Sequence, residues 1–303
     1  MRNPRLILVV VDREHEASAL IAKAVALARR TGARIELFLC ESEQAYQLAH
    51  AYDQAGIEKA CAEITRQAGA YLSDMSARAN APDVNITIDA RCESPLYECI
   101  VRKVLRSSPD LVIKAAAAAD SGHHDTPDPN DWQLMRTCPA TLLLTRGRAW
   151  HTRPRFAAAI DASGEETVSL PEDVMEAAQT LADAWQARLE VMYGEGGAPG
   201  EAQLLRHERL RSLCDESGVT PARMHILYGP LEQTVLPFAK DQDYDMLVLG
   251  ALTHHAADSV QLGTLTSQLL DTLECDFVLV KPSGYRCPIE EQTMAETRCA
   301  MEK

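Results

Sequence analysis

The chain has 303 residues, 46% of them hydrophobic and 24% charged, with a formal net charge of −14 at pH 7. That length suits two ordinary soluble domains, each able to bury a core without disulfides or metals. The acidic balance opposes sequence-independent attraction to nucleic-acid phosphates, and no apolar run reaches the roughly 18–20 residues that span a bilayer.

In chain order, Ile7–Val11 is a short β-branched apolar run, which predicts a strand buried on both faces of a parallel sheet. A helix follows from about Ala17 to Thr31, with Leu20, Ile21, Ala24, Val25 and Ala28 along one stripe and Gly32 as its stop. Arg34–Cys40 reads as the second strand, and a long helical stretch, broken near Gly56, runs to about Asn80. Val84–Ala90 is the third strand, Pro95–Arg106 a helix opened by proline, and Leu111–Lys114 the fourth strand. A short helix over Asn130–Arg136 and a fifth strand over Thr141–Thr145 complete the series, and an arginine-proline stretch around Arg146–Arg155 reads as a linker.

The pattern then repeats. ILVVVD (7–12) is echoed by FAAAID (156–161), RIELFLC (34–40) by RLEVMYG (188–194), PDLVIK (109–114) by YDMLVLG (244–250), and TCPATLLLT (137–145) by ECDFVLVKP (274–282). Four blocks in one order predict two copies of a single folding unit, far longer than a solenoid repeat. The second copy's first helix opens at Ser169-Leu-Pro-Glu172, a capping-box spacing, with Val174, Ala178, Leu181 and Trp185 as its buried stripe. Gly200–Ser217 is a shortened version of the long helix, and Arg223–Tyr228, Asp245–Leu249 and Phe277–Val280 are the later strands. Alternating strands and helices imply an α/β architecture: two tandem Rossmann-like domains, each an open five-stranded parallel sheet with helices on both faces. The predicted domains are residues 1–148 and 149–283, with 284–303 a loose polar tail.

In such sheets ligands bind beyond the carboxyl ends of the strands, where the strand order reverses. Asp12 and Asp161 stand there after strand one of each copy. After strand four the second copy reads GALTHHAADSVQLGT, from Gly250 to Thr264. A glycine and a hydroxyl residue at a helix start, here Gly263-Thr264, let backbone amides and the helix dipole hold an anion such as phosphate.

The duplicated pattern, the Val-Asp or Ile-Asp ending of strand one and this last loop together resemble the universal stress proteins, in their tandem two-domain branch, over about residues 4 to 283. The resemblance implies a cytoplasmic stress-response protein of the HUP superfamily that binds a ligand without turnover. Its two sheets would pack as an intrachain pseudo-dimer, with Leu142–Leu144 beside Phe277–Leu279. ATP-binding members carry G-x-x-G, nine residues, then G-[S/T], with an aspartate ending strand one. By position the nucleoside contact falls on Asp161, the first glycine on Gly250, and the phosphate pair on Gly263 and Thr264. The second glycine falls on Thr253, whose side chain would crowd the phosphates and restrict the backbone. In the first copy Asp12 keeps its place, but Ala115–Ala119 replaces the glycine turn and the Gly-Thr pair is gone.

Two readings of the ligand follow. One is a nucleotide such as ATP or AMP in the second copy. The other is an apolar or lipid-like metabolite, or a protein partner, with the alanine run and the lost glycines of the first copy in its favour. A further homodimer or a regulatory partner fits either. The histidine pairs His123-His124 and His254-His255 fall in the same loop of each copy but lack zinc-ligand spacing, so no metal is assigned. Nine cysteines without a Cys-x-x-Cys pair or a preceding signal peptide indicate reduced thiols. Cys138 and Cys275 read as equivalent packing residues before strand five, and Cys92 and Cys99 bracket a helix start. No Walker A motif, nucleophile elbow or His-Glu-x-x-His is present, and nothing sets a general base against a nucleophile, so no catalytic residue is assigned.

Overall fold

The structure, a computed structural model, describes residues 3–13, 17–51, 53–116, 128–160, 170–195, 200–220, 223–229, 231–253, 261–262 and 264–290. Contacts divide the chain into two compact units. One is built on Pro4–Ala117, Asp128–Ala140 and the described residues from Arg286 onward; the other is built on Thr141–Tyr285.

The first unit contains β1 (Leu6–Val10), α1 (Ala17–Thr31), β2 (Arg34–Cys40), α2 (Ser42–Ala51), α3 (Gln54–Arg78), β3 (Ile86–Arg91), α4 (Leu96–Ser107), β4 (Leu111–Ala115) and α5 (Pro129–Thr137). Its strands lie in the order β3-β2-β1-β4, all parallel, with Ile7 opposite both Ile35 and Leu111. Every residue of β1 is buried, as expected for a strand covered on both faces. The predicted α1 stripe is buried in full, and the helix ends where Gly32, at φ +74°, donates back to the Ala28 carbonyl.

The long helix breaks earlier than its sequence suggested. Asp53 caps α3, its carboxylate accepting the Gly56 amide at 2.8 Å, so Gly56 lies inside the first turn rather than at the break. The start of the predicted loose tail is also packed. Cys287 and Ile289 are buried, and the Cys287 thiol donates to the Thr137 carbonyl at 3.2 Å.

The second unit contains β5 (Thr141–Thr145), β6 (Arg155–Ile160), α6 (Leu170–Trp185), β7 (Arg188–Glu195), α7 (Glu201–Glu216), β8 (Met224–Tyr228), α8 (Leu231–Gln242), β9 (Met246–Gly250), β10 (Leu252–Thr253), β11 (Gln261–Leu262), α9 (Thr264–Thr272) and β12 (Asp276–Val280). The order is β5-β12-β9-β6-β7-β8. β12, β9, β6, β7 and β8 are parallel, whereas β5 runs antiparallel to β12 with Leu142 opposite Leu279 and Leu144 opposite Phe277. The fifth strand of the first copy thus pairs with the fifth strand of the second, as the family resemblance implied. By contacts the chain divides before β5, earlier than the end of the repeat at residue 148.

Duplication extends to single side chains. Asp110, just before β4, accepts the backbone amides of Arg5 and Leu6. Asp245, just before β9, accepts those of His151 and Arg155. Each aspartate fastens the start of strand one to strand four. The arginine-proline stretch is therefore anchored rather than a free linker: Asp276 also accepts the Arg146 amide at 2.8 Å and the Trp150 indole at 2.9 Å. Trp185, predicted buried, is half-buried with its ring edge-on to Trp150 at 4.8 Å. Among the described residues no helix is long and apolar enough to cross a membrane.

Candidate functional site

Strand order reverses between β1 and β4 in the first unit and between β6 and β9 in the second. A crevice at the carboxyl ends of those strands is the place where this topology holds ligands. Asp12 follows β1, half-buried, and its neighbour Arg13 pairs with Glu41 at 2.7 Å while lying over the Tyr71 ring. Asp161 follows β6 directly but lies outside the described residues, as do Gly263 and both histidine pairs.

In the second unit β9 ends on Gly250, which has a steric reason to be glycine. A Cβ there would stand 2.8 Å from Leu170 Cδ2 and 3.2 Å from Leu170 Cγ, at the start of α6. The Gly250 carbonyl accepts from the Thr266 hydroxyl at 3.4 Å, and the Ala251 amide donates to Val280. Beyond it the chain forms a two-residue antiparallel ladder, Leu252 opposite Leu262 and Thr253 opposite Gln261. The ladder brings Gly250–Thr253 alongside the residues that lead through position 263 into α9. That helix begins at Thr264 and has no acidic residue in its first turn. Thr253 is therefore extended backbone, which a β-branched residue favours.

The corresponding place in the first unit is filled by its own side chains. α5 has the same length as α9, but Asp128 caps it, one carboxylate oxygen accepting the amides of Asn130 and Asp131 at 2.8 and 3.1 Å. Pro129 follows with no amide to offer. Asp131 in the first turn is buried and pairs with the buried Lys114 ammonium of β4 at 2.7 Å. The amides that could meet an anion are already met by a carboxylate.

Carboxylates at the ends and middles of the second strands carried no sequence signal. Glu195, ending β7, is buried and receives Arg206 and His207, each at 2.7 Å. Burial pushes its carboxyl up, but those two hydrogen bonds outweigh it and hold the group below the usual carboxylate range. Glu190 is buried in mid-strand and accepts from Tyr244 and His225, each at 2.9 Å, with Arg155 and Arg188 beside it. Against burial, these partners keep it ionised below the ordinary range. Its counterpart Glu36 pairs with the buried Lys103, which also meets Asp89. Only the repeat alignment, which places Glu36 opposite Glu190 and Glu41 opposite Glu195, could have marked them.

Cys138 and Cys275 are both buried but are not equivalent. Cys138 caps α5, three residues before β5, whereas Cys275 immediately precedes β12. Among the described residues no group of three or more His, Cys, Asp or Glu is arranged to hold a metal. A cavity of about 270 Å³ between α1 and α3 is lined by Ile21, Val25 and Met75 and bordered by Arg29 and Arg78.

With that geometry in view, comparison with known proteins matches residues 154–281 to the universal stress protein family. The chain is 23% identical to a Photorhabdus laumondii protein named universal stress protein E, over 96% of this chain and 99% of that one. It is 24% identical to the Escherichia coli K12 protein of the same name, over 93% and 96% respectively. A functionally unknown protein from Pseudomonas aeruginosa PAO1 superposes with a TM-score of 0.75 at 22% identity, covering 96% of this chain and 98% of the other. Each of these full-length likenesses spans both copies.

Proposed function

From the match of residues 154–281 to the universal stress protein family and the likeness of the whole chain to tandem relatives of that name, we propose that this chain is a tandem universal stress protein whose second copy, residues 149–283, holds a nucleotide such as ATP or AMP in a stress response, without efficient turnover. The observation that carries this reading is the ladder between β10 and β11. It sets the Gly250 end of the family motif beside the approach to α9, whose first turn is free of carboxylates. An anion at that helix start gains from both the amides and the dipole.

In this reading Asp161 contacts the nucleoside, Gly250 and Thr253 line the phosphates' near side, and Gly263 with Thr264 supplies the helix-start cradle. Asp12 occupies the matching tip in a copy whose helix entrance is sealed, so the first copy serves as a structural partner.

Thermal unfolding with ATP and with AMP tests the proposal. A ligand at one hundred times its dissociation constant stabilises by about 2.7 kcal/mol, so a saturable upward shift is expected. Asp161→Ala or Gly263→Val should abolish that shift, and Thr253→Gly should enlarge it. An unchanged midpoint at millimolar nucleotide rejects the reading.

A further inference from the structure

The first unit carries a thiol pair that the ligand site does not use. Cys61 lies within α3 and Cys92 immediately after β3, and their sulfurs stand 2.7 Å apart. That separation is too close for two sulfurs merely in contact and only a short movement from a bond of about 2.05 Å. Both residues are half-buried, so a small oxidant reaches them. The neighbouring thiols Cys40 and Cys99 are buried, and Cys40 donates to the Glu93 carbonyl at 3.2 Å.

We propose that Cys61 and Cys92 form a reversible disulfide, a redox-modification site in the first copy. The oxidant is a hydroperoxide, hydrogen peroxide being the simplest. The thiolate of one cysteine of the pair attacks a peroxide oxygen, the O–O bond breaks, and a sulfenic acid and one water are left. The sulfur of the other cysteine then attacks the sulfenic sulfur; the S–S bond forms, the S–O bond breaks, and a second water departs with that thiol's proton. Two thiols have lost two electrons and two protons, and one peroxide has become two waters. A dithiol reverses the bond by exchange.

Burial, the neighbouring Cys61 and, more weakly, Cys40 and Glu41 push the Cys92 thiol up to about 12, so the pair rests as thiols until an oxidant meets the small thiolate fraction.

The link has a mechanical consequence. Buried side chains of α3 begin at Ala68; none of residues 54–67 is buried. Such a thinly packed segment is the part of a structure that opens most readily. A bond from Cys61 to Cys92 clamps this half of the helix to the sheet edge and closes a 31-residue separation.

The experiment treats the full native chain with stoichiometric hydrogen peroxide. Expected are an intact mass lower by two hydrogens, a non-reduced digest joining the Cys61 and Cys92 peptides, and slower amide exchange across residues 54–67, all reversed by dithiothreitol. In Cys92→Ser and in Cys61→Ser the cross-link should be lost, and dimedone labelling of the thiol that remains should show which sulfur meets the oxidant. A cross-link joining Cys40 to Cys99 instead, or oxidised protein in which Cys61 and Cys92 remain separate thiols or acids, overturns the proposal. The wild-type digest decides the matter even if a variant fails to fold.

Discussion

The two helices that follow strand four, α5 and α9, begin in opposite chemical states. At α5 the first turn is closed by Asp128 and Pro129, and a buried Lys114–Asp131 pair stands behind it. At α9 the matching positions are Leu249 and Thr266, and the Thr266 hydroxyl reaches the Gly250 carbonyl instead. Both helices span nine residues, but only α5 carries a carboxylate in its first turn, so a few side chains decide whether such a helix start meets an internal anion.

The ion pair gives the sharpest way to break this comparison. Lys114→Leu installs the second copy's residue but strands the Asp131 carboxylate in the interior, which typically costs about 3–5 kcal/mol. Adding Asp131→Thr completes the second copy's pair and should recover most of that loss, since a buried ion pair is often no more stable than well-packed neutral residues. Urea unfolding of the single and double variants measures both. Equal destabilisation in the two would mean that the charges support the first copy in a way the second does not need.

Gly250→Ala comes next. The new methyl would meet Leu170 at less than contact distance, and Leu170 is buried, so overpacking should cost about 1–3 kcal/mol. Leu170→Ala in the same chain should offset part of the clash. The first copy already has Ala115 at this position, so the glycine answers to α6 packing as well as to any ligand. If G250A unfolds like the wild type but loses the nucleotide shift, the steric account is wrong and the ligand account stands.

How much of this was legible in the sequence depends on what kind of fact it was. Buried strands such as Leu6–Val10 and the α1 stripe were readable because parallel sheets and amphipathic helices impose periods on apolar residues. The pairing of Leu142–Leu144 with Phe277–Leu279 came from family resemblance, since no local pattern encodes an antiparallel join. The Asp53 cap and the ladder at Thr253 were missed because a single capping carboxylate or a two-residue bridge leaves no periodic trace. Glu190 and Glu195 were missed for a different reason: buried charges defy the rule that polar residues face water, and only their partners, far along the chain, explain them.

Removing the cap that seals α5 has a smaller expected effect. Asp128→Ala leaves the Asn130 and Asp131 amides without their acceptor and should cost about 1 kcal/mol by urea unfolding. It should not confer nucleotide binding on the first copy, because Pro129 and Asp131 remain at the helix entrance. A nucleotide-dependent shift in D128A carrying Asp161→Ala would show that the cap alone had closed the site.

The smallest effect concerns acid. Glu195 is held below the usual carboxylate range by Arg206 and His207, against the opposing pull of burial. A carboxyl with a depressed folded-state pKa stabilises above the unfolded value of about 4.3, and that contribution fades as pH falls through the folded-state pKa. Glu195→Gln keeps the side-chain shape but gives up the charge-assisted bonds. Its partners are partly exposed, with side chains 18% and 20% accessible, so the loss near neutral pH should stay below about 1 kcal/mol. The gap between wild type and E195Q should therefore be open at pH 6 and narrow progressively as pH falls below the unfolded value. Thermal midpoints measured from pH 6 downward check the sign: a gap that widens on acidification would mean that Glu195 sits protonated in the folded second copy and that Arg206 and His207 are not its partners in solution.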